Sequence, residues 1–159
     1  MNNVFLLLGS NLGDRNLLLQ QAIQHIEEDI GAVVKKSSVY ETQSWGKTDE
    51  PDYLNRVIEI QTALQAQGIL QKILAIEQTM GRKREQKWES RVIDIDILFY
   101  NSAIIDEPGL HVPHPELHKR RFTLEPLAEI APDFIHPVLK KNSLQLKNEL
   151  KDSLIVKKI

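Results

Sequence analysis

Residues 91–100 read RVIDIDILFY, and this stretch decides how the rest of the chain can fold. Its β-branched, aliphatic and aromatic residues predict a strand, although two aspartates stand in its interior, where aspartate is disfavoured. The apolar side chains that alternate with the aspartates must lie against a core, so both carboxylates project from the opposite face. One face carries Val92, Asp94, Asp96 and Leu98, and the other carries Ile93, Ile95, Ile97 and Phe99.

The two carboxylates are close enough to repel one another. Alternate residues of a strand have Cα atoms about 6.5–7 Å apart. With the charged ends about 5 Å apart and an effective dielectric constant of about 20, the repulsion is roughly 3 kcal/mol. A typical protein is stable by only about 5–15 kcal/mol. Two interpretations stay open: water bathes this face, or a divalent cation such as Mg²⁺ lies between Asp94 and Asp96.

Length and composition exclude several classes of protein. A chain of 159 residues predicts a single domain over residues 1–159, and 42% hydrophobic with 26% charged residues is ordinary for a globular protein. The net charge of −2 argues against bulk nucleic-acid binding, and the lack of cysteine excludes disulfides and thiolate metal sites. The amino-terminal apolar run, residues 4–8, is short and has no preceding basic region. We therefore expect no signal peptide, no membrane span and a cytoplasmic location.

Hydrophobic periodicity predicts the order β-α-β-β-α-β. The stretch GSNLGD at residues 9–14 lacks a phosphate-loop or dinucleotide fingerprint, so it predicts a tight turn with Asp14 capping the following helix, and an anion site there is the weaker alternative. This order indicates a ferredoxin-like α+β sandwich, with an antiparallel sheet, both helices on one face and the other face open for a ligand. The predicted strands are 4–8, 33–42, 53–62 and 91–100, the helices run to Gly31 and over 66–80, and the carboxyl-terminal additions are a proline-rich loop at 108–115, a helix near 123–130 and a lysine-rich end.

Residues 81–91, GRKREQKWESR, place five cations directly before the aspartate strand. The planar guanidinium groups of Arg82, Arg84 and Arg91 suit phosphate oxygens, and Trp88 is an unusual residue for a purely solvated segment. A loop that closes over a polyphosphate explains these features together. A solvated charged loop and a nucleic-acid contact are the alternatives.

Residues 110–122, LHVPHPELHKRRF, combine three histidines with three cations. We interpret them as donors for phosphate oxygens, with an ordinary structural loop as the alternative. A zinc site made of His111, His114 and His118 is disfavoured because their spacing matches no standard ligand pattern. Elsewhere Tyr53 and Asn55 share one face of their strand, where the asparagine amide offers a donor and an acceptor to a heterocycle.

With these motifs the chain resembles the 6-hydroxymethyl-7,8-dihydropterin pyrophosphokinase family of folate synthesis over nearly its whole length. The resemblance rests on GSNLGDR (9–15), PDYLN (51–55), IExxxGRxR (76–84), RVIDIDIL (91–98) and VPHPELHKRRFTLEPLAEIAP (112–132). It implies a ferredoxin-like fold and transfer of the β,γ-pyrophosphate of ATP to the pterin hydroxymethyl group, with release of AMP and use of two Mg²⁺ ions. Members commonly act as monomers on these small molecules, without nucleic acid or membrane.

The resemblance also implies a role for individual residues. Asp94 and Asp96 match the metal ligands, and Arg82 and Arg91 join them as catalytic residues. The implied ATP site comprises Glu77, Arg84, Trp88, Ile97, His114 and Arg120, and the implied pterin site comprises Thr42, Trp45, Tyr53, Asn55 and Phe122. The chain departs from the usual family pattern at 43–45, where Trp45 could cover the pterin ring, and also at 89–90 and 115–116.

Two rival functions use the same residues differently. A nucleic-acid-binding module on this frame would stack bases on strand aromatics, but the aspartate pair would repel the phosphate backbone. A hydrolase would use Asp94 and Asp96 as acid and base. Their shared face beside Arg91 favours joint ionisation over the divided roles that this chemistry needs.

Overall fold

The computed structural model describes residues 1–42, 52–81, 92–151 and 155–159. Within these ranges the elements follow the predicted order, except that one predicted strand is divided in two, and further short elements come after them. The elements are β1 (Asn2–Ser10), α1 (Arg15–Asp29), β2 (Ala32–Lys36), β3 (Tyr40–Thr42), β4 (Tyr53–Thr62), α2 (Ala66–Thr79), β5 (Asp94–Tyr100), β6 (Ile105–Glu107), β7 (Leu110–Val112), a short 3-10 helix (Leu117–Lys119), α3 (Arg121–Ile130), α4 (Ser143–Asn148) and β8 (Val156–Lys158).

The main sheet has the order β5-β1-β4-β3-β8, and β2 also pairs with β4. Every pair in it is antiparallel, so the predicted ferredoxin-like α+β fold is confirmed. The single strand expected at residues 33–42 is instead two strands. Ser37 separates them, because its hydroxyl accepts a hydrogen bond from the Val57 backbone N–H (2.9 Å) while its own N–H donates to the Val57 carbonyl (2.8 Å).

Helices α1 and α2 cover one face of the sheet, which we call the α1/α2 face. The Asp14 carboxylate caps α1 as predicted, by accepting a hydrogen bond from the Leu17 N–H (3.2 Å). The strand and helix side chains between the two layers are almost all aliphatic and buried. Each such side chain stabilises the fold by about 1.5–3 kcal/mol. They include Val4, Leu6, Leu8, Leu19, Ile23, Ile26, Leu54, Ile58, Ile60, Ile69, Ile73, Ile76, Ile93, Ile95 and Ile97.

The carboxyl-terminal helices cover part of the opposite face, which we call the α3/α4 face. A second cluster packs there against α3 and α4, so the expectation of an open face holds only beyond this cluster. Helix α3 starts two residues earlier than predicted. The second cluster comprises Phe5, Leu7, Val57, Leu98, Phe99, Leu117, Leu124, Leu127 and Leu146.

A β-bulge in β5 changes which residues point into the second cluster. Phe5 pairs with Phe99 and Leu6 pairs with Ile97, so Leu98 is an extra residue in the ladder. Leu98 and Phe99 both lie in the second cluster, and the prediction that Phe99 shares the face of Ile97 was therefore wrong. Strand alternation assumes regular pairing, whereas a bulge inserts one residue and turns the following side chain over.

The chain end contributes α4 and β8, neither of which the sequence pattern predicted. Strand β8 pairs with β3 and forms an edge of the sheet, with Val156 opposite Thr42. Strands β6 and β7 form a separate hairpin, of which only β7 lies within the expected proline-rich loop. In the part of the chain that the structure describes, no helix has the length and apolar character needed to cross a membrane.

Candidate active site

A cavity of about 290 Å³ lies on the α3/α4 face, where the sheet meets the start of α3. Four neighbouring strands supply its floor and α3 supplies the opposite wall. The sheet thus brings together residues that lie far apart in the sequence. The lining residues are Leu7, Gly9, Thr42, Tyr53, Asn55, Asp94, Asp96, Arg120 and Phe122.

Asp94 and Asp96 both line this cavity and are half-buried. In the sheet they lie opposite Gly9 and Leu7 of β1, whose side chains offer no hydrogen-bond donor. Among the described residues, no group of three or more histidine, cysteine or acidic side chains is placed to hold a metal ion. Two carboxylates fit Mg²⁺ nevertheless, since this ion commonly binds one or two carboxylates and fills its other positions with water and substrate phosphates.

A second cavity, of about 220 Å³, lies beside β5, between α2 and the β6–β7 hairpin. Because β5 is an edge strand of the sheet, residues from both of its faces reach this cavity. Asp96 lines both cavities, so they meet at one of the two carboxylates, whereas Asp94 lines the first cavity alone. The second cavity is lined by Leu70, Ile73, Ile95, Asp96, Ile97, Gly109, Leu110, His111, His114 and Pro115.

His114 is held as a hydrogen-bond donor at this second cavity. Its Nδ1 accepts a hydrogen bond from the Glu116 N–H (3.1 Å), and its backbone N–H donates to the Leu98 carbonyl (3.0 Å). Burial lowers the pKa of His114 and outweighs the opposing effect of the negative charge on Asp96. The imidazole is therefore neutral near pH 7, and Nε2 carries the proton.

The three histidines of residues 110–122 do not converge. His111 contacts the Asp106 carboxylate (2.7 Å between Nδ1 and Oδ1), whereas the His118 ring lies 6.3 Å from the His136 ring. Only His111 and His114 line the second cavity. The structure therefore gives the disfavoured zinc site no support.

Glu77 lies behind the cavities rather than among their described lining residues. It is only 4% exposed, and its carboxylate accepts a hydrogen bond from the Ile95 N–H (2.9 Å). Ile95 separates Asp94 from Asp96, so this bond ties α2 to the part of β5 that carries the carboxylates. The contact of Glu77 with the nucleotide, which the resemblance implies, stays a prediction beside this observed bond to β5.

Asn55 is oriented by a glycine that the sequence analysis treated only as a turn residue. Its side-chain nitrogen donates to the Leu8 carbonyl (3.3 Å), and a Cβ on Gly9 would lie 2.7 Å from that nitrogen. Real Cβ atoms do not approach so closely. Strand alternation could have indicated that Gly9 faces the cavity, since Gly9 follows Leu7 on the same face of β1.

The remaining lining residues suit a flat ligand with polar edges. Tyr53 and Phe122 bring two aromatic rings to the first cavity, and the Arg120 guanidinium lies 5.5 Å from the centre of the Phe122 ring. Thr42 is buried, and among the described residues its hydroxyl oxygen has no hydrogen-bond partner. An unpaired buried hydroxyl is costly, so a ligand that bonds to it would be stabilised.

Five predicted site residues lie outside the described ranges: Trp45, Arg82, Arg84, Trp88 and Arg91. The described residues that flank segment 82–91 are in contact. A Cβ on Gly81 would lie 2.9 Å from a Val92 methyl group, and the φ angle of Gly81 is +145°. The Ser10 hydroxyl also donates to the Val92 carbonyl (2.8 Å), which anchors this flank beside Asp94.

Comparisons with known proteins agree with this geometry. A family model described as 7,8-dihydro-6-hydroxymethylpterin-pyrophosphokinase (HPPK) matches residues 5–132. A curated protein of Aquifex aeolicus, named 2-amino-4-hydroxy-6-hydroxymethyldihydropteridine pyrophosphokinase, is 44% identical over 149 residues, which are 94% of this chain and 92% of that protein. A Bacillus subtilis protein of the same name is 42% identical over 132 residues, which cover 82% of this chain and 79% of that protein.

Solved structures support the fold independently. The crystal structure of wild-type Plasmodium falciparum HPPK-DHPS with SDX-DHP aligns with a TM-score of 0.73 and 19% sequence identity, over 94% of this chain. The aligned part is 43% of that longer chain. At this identity the likeness concerns the fold alone.

Proposed function

The chain belongs to the 7,8-dihydro-6-hydroxymethylpterin-pyrophosphokinase family and is a pyrophosphokinase, and from this premise we propose its reaction. It transfers the β,γ-pyrophosphate of ATP to the hydroxymethyl oxygen of 6-hydroxymethyl-7,8-dihydropterin and releases AMP. This step serves folate synthesis. The proposal includes a monomer that acts in the cytoplasm on small molecules.

The observation that carries this proposal is that Asp96 lines both cavities. One cavity suits a flat heterocycle and the other runs along an apolar edge strand. A transfer between two substrates needs their reacting ends to meet. The meeting point here has two carboxylates, which suits a reaction between a metal-bound triphosphate and an alcohol.

In the first cavity, the proposed acceptor is the pterin. Tyr53 and Phe122 enclose its ring system, and the proposal assigns Trp45 to a further cover of the ring. The Asn55 amide and the Thr42 hydroxyl bond to the polar edge of the ring. Because Asn55 is already oriented by Gly9 and Leu8, little side-chain entropy is lost when the pterin binds.

In the second cavity, the proposed donor is ATP. Leu70, Ile73, Ile97 and Leu110 give the adenine an apolar site, and Nε2–H of His114 donates to a phosphate oxygen. The Arg120 guanidinium, at the boundary with the first cavity, adds a positive charge. The proposal assigns Arg82, Arg84 and Arg91 to the triphosphate and Trp88 to sealing the site, with Arg82 and Arg91 active in the transfer.

Mg²⁺ fits the residues that are present. Asp94 and Asp96 would hold it through hard oxygen atoms, and two ions are proposed. When bound, the metal supplies charge neutralisation on the phosphate oxygens and orients the in-line attack. The chain itself holds the two carboxylates in register on β5, with Glu77 fixing the strand between them.

The reaction is tested by the identity of the nucleotide product. The protein is incubated with ATP, Mg²⁺ and the reduced pterin alcohol, and the nucleotides are separated by anion-exchange chromatography. We expect AMP to form in equal amount to the pyrophosphorylated pterin. A reaction without pterin is the control and should leave ATP intact; formation of ADP, or hydrolysis of ATP without pterin, would refute the proposed reaction.

A further inference from the structure

Glu129 of α3 makes an unusual number of hydrogen bonds for a residue at an exposed position. The Ser38 backbone N–H donates to both carboxylate oxygens (3.1 and 3.0 Å), and the Ser38 hydroxyl donates to Oε2 (3.0 Å). The Tyr40 hydroxyl donates to Oε1 (2.7 Å). A solvent-exposed ion pair contributes little to stability, but a carboxylate bound by several donors is held strongly and in one geometry.

The charges around this carboxylate keep the bonds in place near neutral pH. Burial alone would raise the pKa of Glu129, but the hydrogen bonds from Tyr40 and Ser38 outweigh it, so the pKa is lowered. The positive charges of Lys158 on β8 and Arg56 on β4 act on the same carboxylate. Burial and the bond to Glu129 raise the pKa of Tyr40. The acceptor is therefore ionised and the phenol keeps its proton.

The two elements joined by Glu129 carry opposite walls of the first cavity. Phe122 and Glu129 are seven residues apart on α3, which is within about 20° of two full helical turns, so they share a side of the helix. Tyr40 and Thr42 are two residues apart on β3 and share a face of that strand. Each element is thus held at one end by the hydrogen-bonded group and lines the cavity at the other.

The packing of α3 against the sheet through Leu124 and Leu127 is apolar, and such packing tolerates small shifts more readily than directed hydrogen bonds do. The ion pair between Glu125 of α3 and Lys147 (2.9 Å) joins α3 to α4 and not to β3.

We propose that Glu129 is a positioning residue for pterin binding: its bonds to Ser38 and Tyr40 set the spacing between Phe122 and Thr42 across the first cavity. The inference rests on the proposed function, since it assumes that the flat ligand of this cavity is the pterin. Among the described residues that line the second cavity, none belongs to α3 or β3. Loss of Glu129 therefore affects one substrate and spares the other.

The test compares Glu129→Gln with Glu125→Gln, a matched change on the same helix that breaks the bond to α4. Dissociation constants for the pterin and for an ATP analogue are measured by isothermal titration calorimetry, well below the thermal midpoint, and KM and kcat are measured beside them. We expect Glu129→Gln to weaken pterin binding roughly tenfold, which corresponds to about 1.4 kcal/mol. ATP-analogue affinity should stay within about twofold of wild type in both variants.

Pterin affinity within about twofold of wild type in Glu129→Gln would overturn the inference, as would equal losses for both substrates. If Glu129→Gln does not fold, Tyr40→Phe is a milder variant, since it removes one hydroxyl and no charge. Tyr40→Phe should weaken pterin binding by a smaller factor. Unchanged pterin affinity in this variant would contradict the proposal. The wild-type protein serves to distinguish failure of the proposed function from failure of the role proposed for Glu129. Its failure to bind the pterin refutes the proposed function, whereas normal wild-type binding with an unaffected variant refutes only the role of Glu129.

Discussion

On the α1/α2 face of the sheet the buried side chains are almost all aliphatic, while the α3/α4 face changes character along each strand. Strand β1 shows this change most clearly. Its α1/α2 face carries Val4, Leu6 and Leu8, all in one core cluster. Its other face passes from Phe5 in the core, through Leu7 at the boundary, to Gly9 in the cavity.

The same boundary crosses the neighbouring strands in register. Leu7 lies opposite Val57 on β4 and opposite Asp96 on β5. On β4 the change runs from Val57 in the core to Asn55 in the cavity, and Leu98 returns β5 to the core. The first cavity thus lies where the carboxyl-terminal helices no longer cover the sheet. In these strands the change from apolar to polar side chains coincides with the end of that cover.

The largest expected effect is a loss of activity on substitution of Asp96, which lies on the cavity side of this boundary in β5. Asp96→Asn should lower kcat by about three orders of magnitude, the scale found when a group that stabilises transition-state charge is removed. The fold should persist, because Asp96 is half-buried and lies outside both core clusters. AMP formation and the thermal midpoint measure the two quantities. Asp29→Asn, at the exposed end of α1, is the control.

Leu98→Ala, two residues further along β5, should lower stability and leave turnover unchanged, which is the reverse of the result expected for Asp96→Asn. It should lower the free energy of unfolding by about 2–5 kcal/mol, because it leaves a cavity among Phe5, Phe99 and Leu124. Turnover per folded molecule should stay close to wild type. If Asp96→Asn kept turnover within tenfold of wild type, or if Leu98→Ala lost turnover without losing stability, the boundary would not separate catalysis from packing.

A smaller effect is expected from Gly9→Ala, which adds a methyl group at the cavity. The new Cβ would lie 2.7 Å from the Asn55 nitrogen and would displace that amide. We expect pterin affinity to fall about tenfold, roughly the effect of losing one or two well-placed hydrogen bonds, with ATP affinity unchanged. Gly68→Ala in α2, where the nearest atom is 3.8 Å away, is the matched control. Unaltered pterin affinity would show that Asn55 does not need this space.

The smallest expected effect is a dependence of the free energy of unfolding on pH, which arises from a histidine buried in the α3/α4 layer. His136 is buried in the α3/α4 layer, 5.6 Å from the Phe99 ring, and its Nδ1 accepts hydrogen bonds from Val138 and Leu139 (both 3.1 Å). Burial and the neighbouring His118 lower the pKa of His136. The unfolded chain therefore takes up the proton first as pH falls, so this contribution to stability is complete above about pH 6.5 and is lost below it.

Urea unfolding at several pH values between 5 and 8 measures this dependence. His136→Gln should give a flatter dependence than wild type, because the variant lacks the buried imidazole whose pKa is lowered. Equal slopes for wild type and His136→Gln would show that His136 does not contribute to the pH dependence.

The sequence predicts the core of this fold well because periodicity reports local burial. The period of two in β4 and the helical periodicity of α2 are both recognisable, and the five motifs between residues 9 and 132 together indicate the family. The role of Gly9 and the bulge at Leu98 escaped prediction. Both depend on which residue lies across from them in another strand, and no local pattern carries that information.

Other features escaped because they involve few side chains. Strand β8 is three residues long, which is too short for an alternating pattern of apolar and polar residues to be recognised. It joins the sheet by backbone pairing with β3. Glu129 looks like an ordinary exposed helical residue until the structure places it against Ser38 and Tyr40. The roles of all the predicted site residues stay predictions, and five of these residues, from Trp45 to Arg91, lie outside the described ranges.

Strand β8 has one consequence for the behaviour of the protein at high concentration. An uncovered edge strand presents free N–H and C=O groups to other molecules and invites intermolecular pairing, and lysines on an edge oppose this. Here the edge of β3, next to the first cavity, is already paired, and β8, which becomes the edge, is three residues long and exposes Lys157 and Lys158. Both the short length of this edge strand and its two positive charges disfavour pairing with a strand of another molecule.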